Sequence, residues 1–194
     1  NGIIPIIEKP MADNMDNAIR IYETSVKTGV EFIVNWPVAW FPAFNLAKKL
    51  LDEGAIGEPM RFIYRTTATL GPYSHSGPRR FNDYENNSWW YDSKRGGGAL
   101  LDYCCYGSIL ACYFLNECPG VVYGHKRRFM MPDGVGDVED YAQLTMHFRN
   151  TVGYAEGSWS TPAIGNNPTG PVIYGKEGTI VCDRYHPLVV KMFK

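Results

Sequence analysis

Apolar residues recur at spacings of one, three and four between positions 101 and 115, a pattern typical of an α-helix with a broad buried face. Three consecutive glycines, Gly96 to Gly98, open this stretch, and the face consists of positions 101, 104, 105, 108, 111, 112 and 115, which are apolar except for the serine at 108. Asp102 and Tyr106 interrupt the pattern four residues apart, so both side chains are expected on one side of the helix. Because a carboxylate and a phenol are costly to bury without hydrogen bonds, they form either a structural polar pair or part of a functional site.

The beginning of the chain has the pattern of a β-α-β crossover unit. Residues 3–7 form a continuous apolar run, which suits a strand covered on both faces in a parallel sheet. Asp13 is the predicted cap of a helix that ends at Gly29, and residues 32–34 form a second buried strand. The apolar face of this helix consists of Met15, Ala18, Ile19, Tyr22 and Val26. The unit fits within roughly 35 residues, the size of one right-handed crossover.

A second helix and a strand follow before the pattern is lost. Pro42 marks a helix start and Gly54 its end, with an apolar stripe of Leu46, Ala47, Leu50 and Leu51. From Met60 to Arg65 apolar and polar residues alternate, which predicts a strand with one wetter face. Residues 71–95 have no period and are rich in Gly, Pro, Ser, Asn and aromatic residues. We expect a long loop there, and such loops in compact domains tend to be functional.

The rest of the chain consists of predicted strands. They span 121–130, 138–148, 152–160, 172–174, 179–182 and 188–193. Several are joined by short turns, which favours antiparallel neighbours. We therefore predict an α+β fold in which a large, mostly antiparallel sheet carries helices on one face and follows a short parallel β-α-β unit. The other face is expected to be solvated or used for homo-oligomerisation.

Charge and composition exclude several function classes. The 194 residues have a net charge of −1, and the largest basic cluster is Lys126 to Arg128, which we expect on a solvated strand. A nucleic-acid or membrane-surface partner therefore has no electrostatic support. No apolar run is expected to reach the roughly 20 residues that span a bilayer, and no leader sequence is evident, so a soluble cytoplasmic protein is predicted.

The cysteines and histidines point to neither disulfides nor metal binding. The five cysteines are an odd number, and Cys104 and Cys105 are neighbours in a predicted helix, so reduced thiols are the simplest interpretation. The four histidines never fall in a metal-ligand spacing, and no metal is predicted. The chain begins directly before one strand and ends within another, which suggests a piece of a longer protein.

Four motifs in order resemble a known family. Glu8-Lys9-Pro10 ends a strand, Lys48 to Gly57 lies on the second helix, Gly96 to Asp102 opens the central helix, and Gly175 to Thr179 lies in a late hairpin. Together they resemble the glucose-fructose oxidoreductase, inositol dehydrogenase and rhizopine-catabolism family of nicotinamide-dependent oxidoreductases. The resemblance covers essentially the whole chain. It implies NAD or NADP as cofactor.

The motif that holds the dinucleotide in this family is missing. Its members bind the pyrophosphate at a glycine-rich first turn of an N-terminal Rossmann domain, and no Gly-x-Gly-x-x-Gly occurs here. The triple glycine follows a loop instead of a strand and is not a substitute. We therefore expect residues 1–36 to be the last β-α-β remnant of the Rossmann domain. Residues 37–194 would be a substrate-binding and oligomerisation domain, truncated at its C-terminus.

The resemblance assigns roles to individual residues. Lys9 would lie beside the nicotinamide and hydrogen-bond the reacting hydroxyl, with an ammonium whose pKa falls on partial desolvation. Glu8 and Pro10 would join it in cofactor binding, and the Lys9–Pro10 peptide bond tends to be cis in the family. Asp102 would contact the substrate or orient the proton-transfer group. Without the motif, Lys9 reads as a surface lysine.

Two positions depart from the family pattern. Tyr106 falls where most members carry the histidine that takes the hydroxyl proton, and a tyrosine needs a nearby cation, such as Lys9, to act near neutral pH. Glucose-fructose oxidoreductase-like members also have a tyrosine here. Cys104 stands where glycine is usual, and we expect it to narrow the pocket.

Aromatic residues and two cations are candidates for substrate binding. Trp36, Trp40 and the run Trp89 to Tyr91 either stack on sugar rings or simply pack under the loop. Lys94 and Arg95 either meet an anionic group or are solvated. The resulting candidate substrate-binding residues are Trp36, Trp90, Arg95 and Asp102.

The sequence predicts part of an oxidoreductase that transfers a hydride between NAD(P) and a secondary alcohol or ketone of a sugar, cyclitol or related polyol. Two alternatives remain. The first is a non-dehydrogenase member of the fold, either a redox-assisted glycosidase or a sugar-sensing binding protein. The second is that the chain is an isolated substrate-binding and oligomerisation module, which is inactive without the Rossmann half.

Overall fold

The computed structural model describes residues 3–67, 71, 73–74, 77–78, 89–161, 170–183 and 189–194. Strands β1 (Ile6–Glu8) and β2 (Ile33–Asn35) are parallel and joined by helix α1 (Met15–Thr28). Asn14, and not the predicted Asp13, caps α1: its side chain accepts a hydrogen bond from the amide of Asn17 at 2.9 Å. Gly29 ends the helix with a φ of 66°, as predicted.

The β-α-β unit is much more exposed than predicted. No residue of α1 is buried, and Ile6 in β1 is 71% exposed. Met15, Tyr22 and Val26 on the predicted buried face of α1 are each more than 60% exposed. The prediction of strands covered on both faces is therefore wrong for this chain, because two strands and one helix offer too little surface to bury each other.

Helix α2 (Pro42–Asp52) begins at proline as predicted and buries Ala43, Phe44, Ala47 and Leu51. Leu46, placed in the predicted stripe, is instead 48% exposed. A 3₁₀ turn, Pro37–Trp40, precedes this helix. The buried side of α2 thus shares Ala47 and Leu51 with the predicted stripe but is rotated around the helix, toward Ala43 and Phe44 and away from Leu46.

The central helix starts with a π-turn, Leu100–Cys104, and continues as α3 (Cys105–Leu115). Its buried positions are 102, 103, 104, 106, 107, 110, 111 and 114. Most positions of the predicted apolar stripe are only half-buried, because the π-turn adds a residue to the first turn and the helix is apolar on nearly all sides. Gly107 lies on the buried side, where an added Cβ would stand 2.5 Å from the Cβ of Ala155.

Within the described residues, the main sheet has seven strands in the order β11-β10-β9-β3-β8-β7-β6. They are β3 (Pro59–Thr67), β6 (Val121–Arg127), β7 (Tyr141–His147), β8 (Val152–Ser158), β9 (Pro171–Gly175), β10 (Thr179–Cys182) and β11 (Val190–Phe193). A small hairpin joins β4 (Tyr73–Ser74) and β5 (Gly77–Pro78). All neighbours in the main sheet are antiparallel except β3 and β8, which confirms the predicted α+β fold.

Strand β6 ends three residues earlier than predicted because a buried carboxylate captures the following amides. The backbone N–H groups of Phe129, Met130 and Met131 donate to the carboxylate of Asp140 at 2.7–2.8 Å. Lys126 is exposed on β6, as expected for the basic cluster. Arg128 lies beyond the strand, where its guanidinium donates to four backbone carbonyls of residues 131–136.

The hydrophobic core lies between the sheet and the helices α2 and α3. Phe62 and Tyr64 of β3 pack there with Phe44, Leu110 and Phe114. The opposite sheet face carries Arg61, Ile63 and Arg65 of β3, the predicted wetter side. The described helices therefore cover one face of the sheet.

The stretch Ser93–Leu115 is long and apolar enough to cross a membrane by length and composition alone. This corrects the expectation that no such stretch exists. More than half of its apolar window is buried inside the fold, and its helix packs on β3 and β8, as core helices of globular domains do.

Part of the predicted loop 71–95 lies outside the described residues, as do much of the loop 162–171 and the predicted strand start at Leu188. The described end of the first loop forms two 3₁₀ turns, Trp89–Tyr91 and Ser93–Arg95. These turns lead directly into the triple glycine and the central helix.

Candidate active site

Lys9 and Asp102 form an ion pair that joins the β-α-β unit to the central helix. Lys9 follows β1, and its peptide bond to Pro10 is cis, as the resemblance implies. Its Nζ donates to Oδ1 of Asp102 at 2.8 Å and to the backbone carbonyl of Asp102, also at 2.8 Å. The two side chains are only 14% and 8% exposed. Lys9 is therefore not an ordinary surface lysine.

All three oxygens of Asp102 accept hydrogen bonds. The indole N–H of Trp159 donates to Oδ2 at 3.0 Å, and the thiol of Cys105 lies 3.4 Å from the carbonyl oxygen that Lys9 also contacts. Asp102 sits in the π-turn, where the backbone hydrogen-bond pattern shifts by one residue. Such π-turns are frequent at functional sites. The carboxylate is thus buried, charged and held from two sides.

Tyr106 lies beside the ion pair. The ammonium of Lys9 stands 4.7 Å from the centre of the Tyr106 ring, a cation–π distance, and the tyrosine is 5% exposed. Trp36 meets the Tyr106 ring edge-on, with 5.9 Å between ring centres. The structure thus brings together four predicted site residues: Lys9, Asp102, Tyr106 and Trp36.

Glu8 is turned toward β2. Its Oε1 accepts a hydrogen bond from the side-chain amide of Asn35 at 2.6 Å. The oxygen of that amide in turn accepts from the indole of Trp40 at 3.1 Å, while the Trp40 ring is 67% exposed. Glu8 and Trp40 therefore share Asn35 at the carboxyl ends of the two parallel strands.

The surroundings of Lys9 keep its ammonium charged. Burial alone lowers the pKa of Lys9, but the charge and hydrogen bond of Asp102, together with Cys105 and Tyr106, more than offset it. The net pKa of Lys9 is raised above its ordinary 10.5. This corrects the expectation of a lowered pKa, because a buried carboxylate faces the ammonium. At neutral pH Lys9 is a hydrogen-bond donor.

The triple glycine allows three close approaches that a Cβ would block. A Cβ at Gly96, whose φ is +78°, would meet the backbone of Asp13 at 2.9 Å. At Gly97 it would meet the Trp90 carbonyl at 2.4 Å, and at Gly98 the Glu139 carboxylate at 2.4 Å. These glycines therefore seat the start of the central helix, with Asp102 on it, against three other segments.

Glu139 caps the central helix, a role that no sequence pattern indicated. Its Oε1 accepts from the amide of Leu100 at 2.9 Å, and its Oε2 from Lys126 at 3.2 Å. A carboxylate at a helix N-terminus satisfies free amides and complements the helix dipole. Trp159 was missed for a similar reason, since it appeared only as the end of a predicted strand.

The other candidate residues lie outside the Lys9 cluster. Trp90 is half-buried in a second hydrophobic cluster, which contains Tyr91, Ala99, Tyr103, Met131, Val138 and Trp159. Arg95 is exposed on the turn before the glycines. The buried thiol of Cys104 donates to the carbonyl of Ala142 at 3.2 Å. Because this thiol faces the sheet, the expectation that Cys104 narrows the pocket finds no support.

The described residues contain no cluster of three His, Cys, Asp or Glu side chains able to hold a metal ion. What the site offers is a charged donor (Lys9), a phenol (Tyr106) and a carboxylate that positions the donor. Such a set can bind a hydroxyl and manage its proton.

The sequence model of the GFO/IDH/MocA C-terminal domain matches residues 44–181 of the chain. The chain belongs to this family. The matched range contains Asp102, Tyr106 and Trp159, and Lys9 precedes it. The family assignment confirms the resemblance seen in the four motifs.

Curated relatives in the family include dehydrogenases. The chain is 27% identical over 182 residues to scyllo-inositol 2-dehydrogenase (NAD(+)) of Bacillus subtilis (strain 168), covering 93% of the chain and 48% of that protein. It is also 27% identical over 199 residues to levoglucosan dehydrogenase of Pseudarthrobacter phenanthrenivorans, covering 91% and 48%. The chain thus spans about half the length of the relatives it matches.

Solved structures share this fold. Levoglucosan dehydrogenase in complex with NADH and levoglucosan superimposes with a TM-score of 0.80 at 27% identity, covering 96% of the chain and 49% of that protein. The same enzyme with NADH and L-sorbose gives a TM-score of 0.82 at 25% identity, covering 98% and 51%. The α+β domain is therefore the one found in GFO/IDH/MocA enzymes.

Proposed function

We propose that the protein containing this GFO/IDH/MocA chain transfers a hydride between NAD(P) and a secondary alcohol or ketone of a sugar, cyclitol or related polyol. The observation that carries the proposal is the buried Lys9–Asp102 pair beside Tyr106, at the carboxyl end of β1. Ligands of open parallel sheets bind at the carboxyl ends of the strands. The NAD-dependent relatives support the same reaction class.

The residues present fit one end of a dinucleotide. Glu8, Lys9 and Pro10 follow directly from β1, and the Lys9 ammonium is the charged donor at that point. These three would border the nicotinamide, which supplies the hydride acceptor when bound. We further propose that residues 1–36 are the last part of a Rossmann domain and that residues 37–194 form the substrate domain. The pyrophosphate would then be held by sequence outside this chain.

Lys9 and Tyr106 would handle the proton of the substrate hydroxyl. The Lys9 ammonium would donate a hydrogen bond to the hydroxyl oxygen and stabilise the negative charge that develops there as the hydroxyl proton is removed, before the hydride leaves the adjacent carbon. Tyr106 would accept the hydroxyl proton, and the Lys9 ammonium stands 4.7 Å from the centre of its ring. Asp102 keeps the ammonium in place. Trp36, and Trp90 and Arg95 beyond the cluster, are proposed to contact the substrate.

The first test is dinucleotide binding. NADH and NADPH are titrated by fluorescence into this chain and into a form extended by the preceding sequence, followed by turnover assays with a panel of polyols. Binding and polyol oxidation by the extended form alone support the proposal. Absence of binding in both forms contradicts it and favours an isolated module.

The second test replaces the proposed donor. Lys9→Met in the extended form is expected to lower turnover by about two to four orders of magnitude, the range of a general acid–base group, with the fold unchanged by circular dichroism. Lys27→Met, on the exposed end of α1, is the matched control and is expected to leave turnover unchanged. Unchanged turnover in Lys9→Met would refute the role of Lys9.

A second candidate function rests on Tyr106, which stands where most members have histidine. This departure leaves room for a non-dehydrogenase activity, either redox-assisted glycoside cleavage or sugar sensing with a bound dinucleotide. Net release of reduced cofactor in the presence of a polyol distinguishes the dehydrogenase from both.

A further inference from the structure

The carboxylate of Asp102 is shared between two donors of different kinds. Oδ1 accepts from the Lys9 ammonium at 2.8 Å, and Oδ2 accepts from the indole N–H of Trp159 at 3.0 Å. The torsion that turns a carboxylate about its Cβ–Cγ bond has no sharp minimum of its own. Two donors on different oxygens therefore determine how this carboxylate is turned.

Trp159 is rigidly held. Its side chain is fully buried, and its ring packs edge-on against Tyr91 with 6.1 Å between ring centres. Its amide donates to the carbonyl of Asp140 at 2.8 Å, and its own carbonyl accepts from Gly71 at 2.9 Å. Asp140 is itself fixed by three backbone amides. The indole N–H thus points at Asp102 from a fixed frame.

The chemistry of the indole suits this task. It donates one hydrogen bond and carries no charge, so it does not compete with Lys9 for the negative charge of Asp102. A lysine or arginine at the same place would neutralise the carboxylate and weaken its hold on Lys9. The N–H also satisfies an acceptor that would otherwise be buried unpaired.

We propose that Trp159 is a positioning residue that fixes the Asp102 carboxylate through Oδ2, so that Oδ1 stays directed at Lys9. The consequence for catalysis rests on the proposed function, because it requires Lys9 to bind the reacting hydroxyl. The effect of Trp159 on the protonation of Lys9 does not depend on the proposed function, and it can be measured without substrate or cofactor.

The first experiment measures the protonation of Lys9 in the full chain. Site-specific replacement of Trp159 with 3-benzothienylalanine keeps the ring shape and removes the N–H, and Trp159→Phe is the genetic counterpart. The rate of Lys9 acetylation by acetic anhydride is followed against pH by peptide mass spectrometry. Asp102→Asn is the positive control, and Met131→Ala, in the same hydrophobic cluster, controls for loosened packing.

Loss of the N–H is expected to lower the pKa of Lys9, because its carboxylate partner is no longer held toward it. Cys105 and Tyr106, the other groups that raise this pKa, are unchanged in every variant. At a fixed pH below the pKa, the unprotonated, reactive fraction of Lys9 rises about tenfold for each unit by which the pKa falls, so acetylation speeds up. Acetylation profiles that match the unmodified chain in the benzothienylalanine variant, or that move equally in Met131→Ala, overturn the proposal.

The second experiment measures kcat and KM for polyol oxidation by the extended form. The benzothienylalanine variant is expected to lose about 10- to 100-fold in kcat with KM nearly unchanged, since one hydrogen bond to a charged group is removed without altering the substrate contacts. A loss confined to KM contradicts positioning. If Lys9 acetylation shifts but no form oxidises a polyol, the dehydrogenase proposal fails while the positioning role stands.

Discussion

At the residue scale, the site depends on one buried cation that keeps its charge. Burial opposes the charged form of Lys9, whereas Asp102, Cys105 and Tyr106 favour it, and the second effect is larger. A cation with a raised pKa stabilises the fold only while it is protonated in the folded state. The Lys9–Asp102 ion pair therefore stabilises the fold only within a definite pH range.

Lys9→Met is expected to lower the stability of the chain in a pH-dependent way. Because the folded pKa of Lys9 lies above its ordinary value of 10.5, the stabilisation is complete below about pH 10.5 and is lost as the pH rises through the folded pKa. Urea unfolding of both proteins between pH 8 and pH 12 measures the difference. A stability difference that grows with pH would contradict the ion pair.

Thiol reactivity gives a second prediction at this scale. Burial raises the pKa of Cys104, Cys105 and Cys182 to about 12, and that of Cys112 to about 11. Cys118 is the exposed cysteine. We expect one thiol to react quickly with Ellman's reagent at pH 8 and all five after unfolding. Rapid reaction that persists in Cys118→Ser would contradict this.

The residues of the site were predictable where a motif marked them. Lys9, Asp102 and Tyr106 were found because spacing and resemblance single them out, and the structure brings them together. Trp159 and Glu139 were not, since a buried indole N–H and a capping carboxylate from a distant strand leave no local pattern. The pKa of Lys9 was mispredicted because its partner is 93 residues away.

At the element scale, glycines set how closely the central helix approaches the sheet. Gly107 of α3 lies over Ala155 of β8, and Gly157 lies against the Ala99 carbonyl and Tyr103. The apolar pattern of the helix could not reveal this, because glycine counts as neither apolar nor polar in it. The side of α3 that faces the sheet is therefore determined by its small residues as well as by its large apolar ones.

Gly107→Ala is expected to destabilise the fold by about 1–3 kcal/mol, the usual effect of overpacking a well-packed core. The added Cβ would stand 2.5 Å from Ala155. Gly120→Ala, where nothing lies within 4 Å of the added Cβ, is the matched control and should change stability little. Urea unfolding compares the two, and equal stability would show that the helix shifts at no cost.

Element ends were less predictable than element types. All the strands predicted after residue 120 exist, but β6 stops early because Asp140 takes the amides that would continue the ladder. The β-α-β unit was predicted from its pattern, yet its expected burial was not found, since burial depends on what packs beside the strands.

At the scale of the whole molecule, the sheet has one covered face and one open face. The open face carries the Arg65–Glu156 ion pair at 3.0 Å and a cavity of about 250 Å³ lined in part by Ile63 and Tyr154. Arg61 also lies over the ring of Tyr174 there. We propose that homo-oligomers form through this face, because half-buried aromatic and aliphatic groups lie beside paired charges.

Tyr154→Glu is expected to convert the oligomer to a monomer, because it places an unpaired charge at the centre of the open face. Light scattering with size-exclusion chromatography measures the mass. Leu46→Glu, on the exposed side of α2, is the control and should leave the mass unchanged. A monomeric unmodified chain would contradict the proposal.

The position of β3 at the centre of the sheet has a consequence for synthesis of the chain. Arg61 faces Val152 and Phe62 faces Ile173, so both neighbours of β3 emerge from the ribosome long after it. Until then a strand with one apolar face has two unpaired edges, a state prone to association with other chains. Such distant pairings also fold slowly. A nascent chain of this protein therefore depends on dilution or on chaperones that shield β3 until β9 has been made.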